Sequence, residues 1–558
     1  MTIDNYFIAD QFSLLSKLMD IHGENSFKTK SYSIAAFNIE KLPEQLADIS
    51  QDKIFAIKGI GDAIGKKIIQ IIETGELPLL KEYIEKTPPG LIEMLGIKNI
   101  GPKKISTIWK EMQIESVGEL LYACNENRLM LYKGFGEKTQ KNIQESIEFF
   151  FKNQGSYLYS EAEPYALDID DKLKKQFPNE KFELTGEFKR QLEIVTKLEW
   201  LTTTGLIILK NFFNANDFTI ENHSEKDLTV KHPDGIILEF HYSAKGSFYS
   251  DLFKLSSSNE FLQSWNGITN WNETGSFNSE EDIFSSVKIN FIPPYQRENA
   301  GIIAKAKQNE LPDVIKDTDI KSIIHSHSNW SDGSNTVEEM ANRCIEKGYE
   351  YFVISDHSKS AFYANGLTEE RIKEQHKYVD ELNKKLSPFK IFKSVECDIL
   401  NDGALDYADN ILSTFDLVIA SVHSNLKMTE EKAMMRLLRA IENPYTTILG
   451  HMTGRLLLSR PGYPVDHKKI IEACAANNVV IELNAHPRRL DVDWRWIEHL
   501  LEKNVLISID PDAHSLHGYE DVKYGVLAAQ KAGLTKEKNL SSFNLKEFEN
   551  FLSKKLRV

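Results

Sequence analysis

Six of the chain's 15 histidines stand at the ends of short apolar runs in its C-terminal half, and this placement constrains the fold more than any other feature. From about residue 320, runs at 320–325, 351–355, 390–395, 417–422, 446–449, 479–483 and 505–509 read as strands. Helical patterns, such as 336–347 and 369–386, separate them. Strand and helix alternating in this way predict parallel strands closing into a barrel. His325 and His327 end the first strand, with Asp332 in the loop beyond. His357, Glu396, His423 and His451 end the second to fifth, and Asp512 and His514 follow the seventh. In a parallel barrel these ends converge on one face.

Nine His, Asp and Glu side chains meeting there would be costly to hold together unless cations neutralise and order them. The donor types suit Zn, Mn or Fe rather than Ca, and nine donors suffice for two or three divalent ions. Clustered cations of this kind suit phosphate-ester hydrolysis. Arg455 and Arg460, just after the fifth strand, are candidates for gripping the non-bridging phosphate oxygens.

The first 150 residues show apolar spacings of three and four throughout, which predicts helices. One pattern recurs in them. Ile57-Lys58-Gly59-Ile60-Gly61 precedes Lys66 and Lys67; Ile97-Lys98-Asn99-Ile100-Gly101 precedes Lys103 and Lys104; Tyr132-Lys133-Gly134-Phe135-Gly136 precedes Lys138. Gly-hydrophobe-Gly makes a tight turn between two helices, plugged by its apolar middle residue. The turn frees backbone N–H groups at the next helix start, where they can hold a phosphate without reading a base. The pattern resembles the helix-hairpin-helix motif, with Asn99 replacing the first glycine of the second copy. A single copy would read as an ordinary helix cap; three copies with lysines behind them predict DNA phosphate binding.

Charge alone does not point to nucleic acid. The net charge is −15, and it divides as 19 − 21 = −2 over residues 1–155, 16 − 24 = −8 over 156–310 and 32 − 37 = −5 over 311–558. DNA contact must therefore come from local arrangement rather than a broad positive field. Cys124, Cys344, Cys397 and Cys474 lie far apart with no C-x-x-C pair, against a zinc finger or disulfide framework and in keeping with a reducing cytoplasm. No apolar run approaches the ~20 residues of a membrane helix, and no secretory signal opens the chain.

Ser331-Asp332-Gly333, Asp356-His357-Ser358, Gly450-His451-Met452-Thr453-Gly454-Arg455, Glu482-Leu483-Asn484-Ala485 and Asp512-Ala513-His514, together with His325-Ser326-His327, resemble the PHP (polymerase and histidinol phosphatase) family. The resemblance implies a distorted seven-stranded barrel and a trinuclear metal site, with Glu396 as the bridging carboxylate. Met452 departs from the proline usual in polymerase-linked members.

Hairpin repeats, then a middle domain, then a PHP domain resemble the bacterial family X DNA polymerases over essentially the whole chain. The implied fold class is multidomain: a helical helix-hairpin-helix N-terminal region, an α+β nucleotidyltransferase-like palm and a C-terminal distorted (βα)7 PHP barrel. The implied boundaries are 1–80 (eight-kilodalton-like), 81–155 (fingers-like, with two hairpins), 156–310 (palm and thumb) and 311–558 (PHP). The implied activity is DNA repair on primer-template, gapped or nicked duplex, with the PHP domain as a 3′–5′ exonuclease.

The polymerase centre departs from that family. Its Gly-Ser, Asp-x-Asp and later Asp correspond here to Gly186-Glu187, Lys197-Leu198-Glu199 and Glu239, and its nucleotide-binding stretch corresponds to Phe253-Lys254-Leu255-Ser256-Ser257. Lys197 puts a positive charge where Mg²⁺ should sit. At ~4 Å and an effective dielectric of ~20, each unit-charge pair is worth about 4 kcal/mol. Asp168-Ile169-Asp170 reads as an exposed acidic loop rather than a substitute site. The expectation is a degenerate polymerase domain without Mg²⁺. Competing readings are an active gap-filling polymerase with attached exonuclease, a histidinol-phosphate-like phosphatase and a DNA end-binding adaptor.

Overall fold

Apolar residues three and four apart make the N-terminal part helical. In Asn5–His22, the Asp4 carboxylate caps the start by accepting from the Phe7 amide. Ile8, Phe12, Leu15 and Met19 line its buried side, and Gly23 at φ 82° ends it. In Asp62–Thr74, Ile64, Ile68 and Ile71 repeat the pattern. These residues enter one core with Ile60, Ile100 and Phe135, the middle residues of the three hairpins. The computed structural model describes residues 3–57, 59–125, 129–152, 155–458 and 461–555. Met1–Gln154 forms one compact unit and Gly155–Val558 another.

The second unit opens with β1 (Tyr157–Leu158), β2 (Phe182–Thr185), β3 (Ile194–Val195), β4 (Leu198–Thr202), β5 (Thr219–His223), β6 (Asp227–Lys231) and β7 (Ile237–Tyr242). Five of these form a sheet in the order β2-β4-β7-β6-β5, parallel only between β4 and β7. Helices Tyr159–Gln176 and Leu206–Asn214 share a core with it through Ala162, Ala166, Leu209 and Phe213, packed with Trp200 and Phe240. Asp168 and Asp170, expected in a loop, lie on the first of these helices. They pair with Lys172 and Lys174 four residues on, at 2.7 and 2.8 Å.

The C-terminal part is a seven-stranded parallel sheet: β8 (Ser322–Ile323), β9 (Tyr351–Ile354), β10 (Lys390–Asp398), β11 (Leu417–Ser421), β12 (Thr446–Leu449), β13 (Val480–Asn484) and β14 (Ile507–Asp510) in sequential order. Beyond the ends of β8 and β14, the His327 amide donates to the Ala513 carbonyl at 2.8 Å and nearly closes the barrel. Alternate residues divide between two cores, as the two-residue strand period requires. Tyr351, Val353, Leu417 and Ile419 gather with Phe548 and Leu552 of the last helix, Leu545–Lys555. Phe352, Ile354, Val418 and Ala420 join the surrounding helices. The strands lie where the apolar runs place them, with one marked difference. The first is only two residues long, because His325 turns to φ 57° and leaves the ladder.

Candidate metal centre

All nine candidate ligands meet at the C-terminal ends of the barrel strands. Glu396, fully buried in β10, is the hub. Its Oε1 lies 2.9 Å from His451 Nε2, 3.0 Å from His423 Nε2 and 3.3 Å from His325 Nε2. Its Oε2 lies 3.0 Å from His357 Nδ1 and 3.5 Å from His327 Nε2. Three overlapping groups have donor atoms within 4.8 Å of one another: His327, Asp332, His357 and His514; His325, His327, Glu396 and Asp512; His357, Glu396 and His423. His325 and Asp512 hold left-handed backbone, φ 57° and 51°, which non-glycine residues adopt at a cost of about 1–3 kcal/mol.

Several buried ligand atoms have no hydrogen-bond partner: His325 Nε2, His327 Nδ1, His357 Nδ1 and Glu396 Oε2. Leaving such atoms unpaired in a dry interior is costly. Divalent cations would satisfy them, so the residues present fit a cluster of metal ions.

Further residues orient the rings. His325 Nδ1 donates to Glu482, which leaves Nε2 to face Glu396 and Asp512. His423 Nδ1 donates to Asp398 at 3.0 Å, and His514 Nδ1 to the Asp512 carbonyl at 2.9 Å. Bonds of this kind fix tautomer and aim. Asp356 accepts from the Ser328 amide at 2.8 Å, the Ser331 hydroxyl at 2.5 Å and Gln375 Nε2 at 2.6 Å, and so locks the loop that carries Asp332. Sequence reasoning gave none of these residues a role. Glu482 and Asp356 stood inside the quoted motifs; Asp398, two residues beyond Glu396 on the same strand, carried no such signal.

The charges explain one another. Burial alone would lower the His325 pKa, yet Glu482, Asp512 and Glu396 carry it well above the ordinary value. Burial would raise Glu396, but His423, His325 and His357 hold it well below the usual carboxylate range. His327 goes the other way, to about 3, through burial and the neighbouring His514 and His357. Imidazole protons supply positive charge here that bound cations would replace, since metal binding displaces protons from its ligands.

Arg455 is bound into its own scaffold. Its Nε donates to the Arg489 carbonyl at 2.9 Å, NH1 to Asp493 at 2.5 Å and NH2 to the Leu490 carbonyl. These three bonds use three of the five guanidinium N–H donors. Arg460 lies outside the described residues. Among the described residues, Arg489 borders the cluster, with Nε 3.6 Å from Asp512 Oδ2.

In the N-terminal unit the three hairpins share one conformation. Gly59, Asn99 and Gly134 take φ 91°, 70° and 92°. Asparagine is among the few residues that visit this region readily, so the second copy keeps the turn. Ile60, Ile100 and Phe135 are buried at 4%, 4% and 2% exposure. Gly61 and Gly101 cap the next helices at φ −82° and −92°, and a Cβ at Gly61, Gly101 or Gly136 would meet nothing within 4 Å. Neither backbone angle nor internal packing therefore calls for glycine at Gly61 and Gly101. Lys66, Lys103 and Lys138 are exposed or half-exposed beside the turns. Lys67 and Lys104 bend back to the Ala63 and Asn99 carbonyls, at 3.4 and 3.0 Å.

In the middle domain, parallel register sets Glu199 of β4 beside Glu239 of β7. The Lys197 ammonium bonds Glu239 and lies 3.0 Å from Glu199 Oε1. His241 Nε2 lies 3.5 Å from the same Glu199 oxygen. Glu187 is turned aside, accepting from the Thr196 amide and hydroxyl at 2.7 and 2.8 Å.

A seven-stranded parallel barrel with His, Asp and Glu gathered at its strand ends defines a PHP domain, and the PHP domain family matches residues 324–486. The helix-hairpin-helix domain family matches residues 3–77, and the SAM-like helix-hairpin-helix tandem matches 91–148. The chain is 32% identical, over 567 residues, to the DNA polymerase/3′-5′ exonuclease PolX of Bacillus subtilis, covering 96% of this chain and 97% of the relative. It belongs to the bacterial family X DNA polymerases that carry a PHP domain. The barrel alone also resembles probable phosphatases. One, from Caldanaerobacter subterraneus, is 29% identical over 31% of this chain and 62% of its own length. Another, from Thermoanaerobacter sp., is 25% identical over 44% of this chain and 96% of its own. Among the described residues, no helix is long and apolar enough to cross a membrane.

Proposed function

We propose that the barrel, residues 311–558, is a metal-dependent phosphodiesterase that shortens DNA strands from the 3′ end. The observation that carries this reading is the set of nine donors around Glu396. His325, His327, Asp332, His357, Glu396, His423, His451, Asp512 and His514 would hold two or three Zn, Mn or Fe ions. Bound there, such ions supply hydroxide near neutral pH and stabilise charge on the leaving oxygen. Glu482 and Asp398 keep the His325 and His423 rings aimed inward, and Arg489 borders the cluster as a donor for phosphate oxygens.

Residues 1–80 and 81–155 bind DNA backbone through the three hairpins. Gly61 and Gly101 support this, being glycines that the free protein does not require. An approaching phosphate does require them, because a Cβ would stand between it and the helix-start amides. Residues 156–310 are a palm without catalytic metal, since the Lys197 ammonium already holds both glutamates that would bind it. The likeness of the barrel to probable phosphatases favours a small-phosphate reading as the alternative; the hairpins argue for DNA.

One assay separates these readings. The protein is incubated with Mn²⁺ and a 5′-labelled primer-template, with and without deoxynucleotides. Shortening supports the nuclease, and Asp512→Ala abolishes it while DNA binding persists. Extension would establish the polymerase, and shortening that survives in the variant would overturn the assignment to the barrel.

A further inference from the structure

Arg436, on the helix Glu430–Ile441, is a fully buried guanidinium. Its Nε donates to the Leu400 carbonyl at 3.0 Å, NH2 to the Ile399 carbonyl and NH1 to the Ser424 carbonyl at 3.0 Å. Met428 Sδ lies 3.6 Å from NH1. Among the described residues, none of its hydrogen-bond partners is a carboxylate. Burying this charge without an ion pair is costly, and an apolar side chain of similar size would avoid the cost. The place of its bonds gives the charge a purpose. Ile399 follows Asp398 in the chain, and Ser424 follows His423.

The β10–β11 ladder ends with Asp398 opposite Ser421, and the Ile399 amide adds one bond to the Ser421 carbonyl at 2.7 Å. His423 lies two residues further on, outside the ladder. The planar guanidinium spans that gap by tying down the residue after Asp398 and the residue after His423. Between them the His423 ring is held on both nitrogens, with Nδ1 3.0 Å from Asp398 Oδ1 and Nε2 3.0 Å from Glu396 Oε1. The loop after Asp398 also lies directly against the helix that carries Arg436. Gly403 takes φ 86°, and a Cβ there would come within 3.0 Å of the Arg436 carbonyl. Arg439 NH1 donates to the Asp402 carbonyl at 2.8 Å.

We propose that Arg436 is a positioning residue of the metal centre: it fixes Asp398 relative to His423 and so sets the affinity of the ion that His357, Glu396 and His423 would share. This rests on the metal-dependent reading above and makes it more specific, because His423 belongs to that donor group alone. The other two groups include neither His423 nor Asp398, so their ions are held independently of Arg436. Residues that orient a ligand from behind are worth about 10- to 100-fold in metal affinity. Arg436 acts one step further out, which places its effect at the lower end.

The test titrates metal-stripped protein with Zn²⁺ against a competing chelator, so that the readout is ion binding rather than activity. Arg436→Lys keeps the charge but lacks the planar fork that reaches both loops. It weakens one ion by about tenfold and leaves the others unchanged. In a His423→Ala background, which lacks the ligand through which Arg436 acts, Arg436→Lys has no further effect on affinity. Arg436→Gln takes the place of the lysine variant if that protein does not fold. Equal affinity for every ion in the wild type and Arg436→Lys would overturn the proposal. A loss of the same size in the His423→Ala background would also overturn it, since that marks a general loosening of the barrel. Wild-type protein that takes up no Zn²⁺ would instead refute the metal-centre reading, and this proposal with it.

Discussion

Lys197 Nζ lies 3.0 Å from Glu199 Oε1, so an ammonium group occupies the side of the middle-domain sheet where two neighbouring strands present carboxylates. Glu239 on β7 binds the same ammonium. One ammonium faces two carboxylates, so Lys197 offsets half of the negative charge that a divalent ion would otherwise meet there. Lys197→Ala leaves two adjacent glutamates without their cation. Stability is expected to fall by about 1–2 kcal/mol, a modest figure because the lysine is 37% exposed. Added Mg²⁺ or Mn²⁺ should restore part of the loss in the variant and none in the wild type. Thermal melts with and without the ions check this; a variant that ignores them would contradict it.

The orienting carboxylates should matter nearly as much as the ligands. Glu482→Gln and Asp398→Asn keep the volume but weaken the hold on His325 and His423. Metal affinity is expected to fall about 10- to 100-fold in each. Titration of the stripped protein with Zn²⁺ or Mn²⁺ measures it.

The hairpin glycines give a prediction that separates binding from folding. Gly101 sits at φ −92° with open space where a Cβ would go. Gly101→Ala should cost no more than about 1 kcal/mol of stability. Its DNA affinity should drop about tenfold, through loss of an amide–phosphate bond. Lys103→Ala should instead weaken binding uniformly across sequences and reduce the salt slope by about one. Binding isotherms at several salt concentrations distinguish the two.

Lys531 links the middle domain to the barrel and carries the pH dependence. Its Nζ donates to the Arg190 carbonyl at 2.7 Å and lies 4.6 Å from the Trp494 ring. Burial draws its pKa from 10.5 down to about 8, with Arg190 and Arg495 adding to the effect and Glu298 and Glu193 opposing it. Below pH 8 the folded and unfolded chains are both charged, and the full penalty is present. Between pH 8 and 10.5 the folded state sheds its proton first, so this site's contribution to stability rises with pH. The melting temperature of the wild type minus that of Lys531→Met should therefore increase from pH 8 towards pH 10.5; a flat difference would contradict it.

The barrel and its ligand ring were legible because two local signals coincide. Apolar runs mark the strands, and a polar residue that ends each run must stand at a strand end, so His357, His423 and His451 converge by topology alone. What the sequence hid depends on distant pairing. Glu482 meets His325 across 157 positions. Lys197 meets Glu239 only through the parallel β4–β7 register. Arg455 could be read as reaching outward because nothing local shows that Asp493 lies beneath it. The Asp168 helix, by contrast, was readable: lysines four residues after Asp168 and Asp170 are a helical pairing signal.

The account rests on cations gathering around Glu396, and metal content measures that directly. Elemental analysis of protein purified without chelators should give two to three equivalents of transition metal in the wild type. Glu396→Gln, which alters the carboxylate shared by two of the three donor groups, should retain at most about one. Less than one equivalent in the wild type after incubation with Zn²⁺, Mn²⁺ and Fe²⁺, or equal content in the variant, would contradict the central claim.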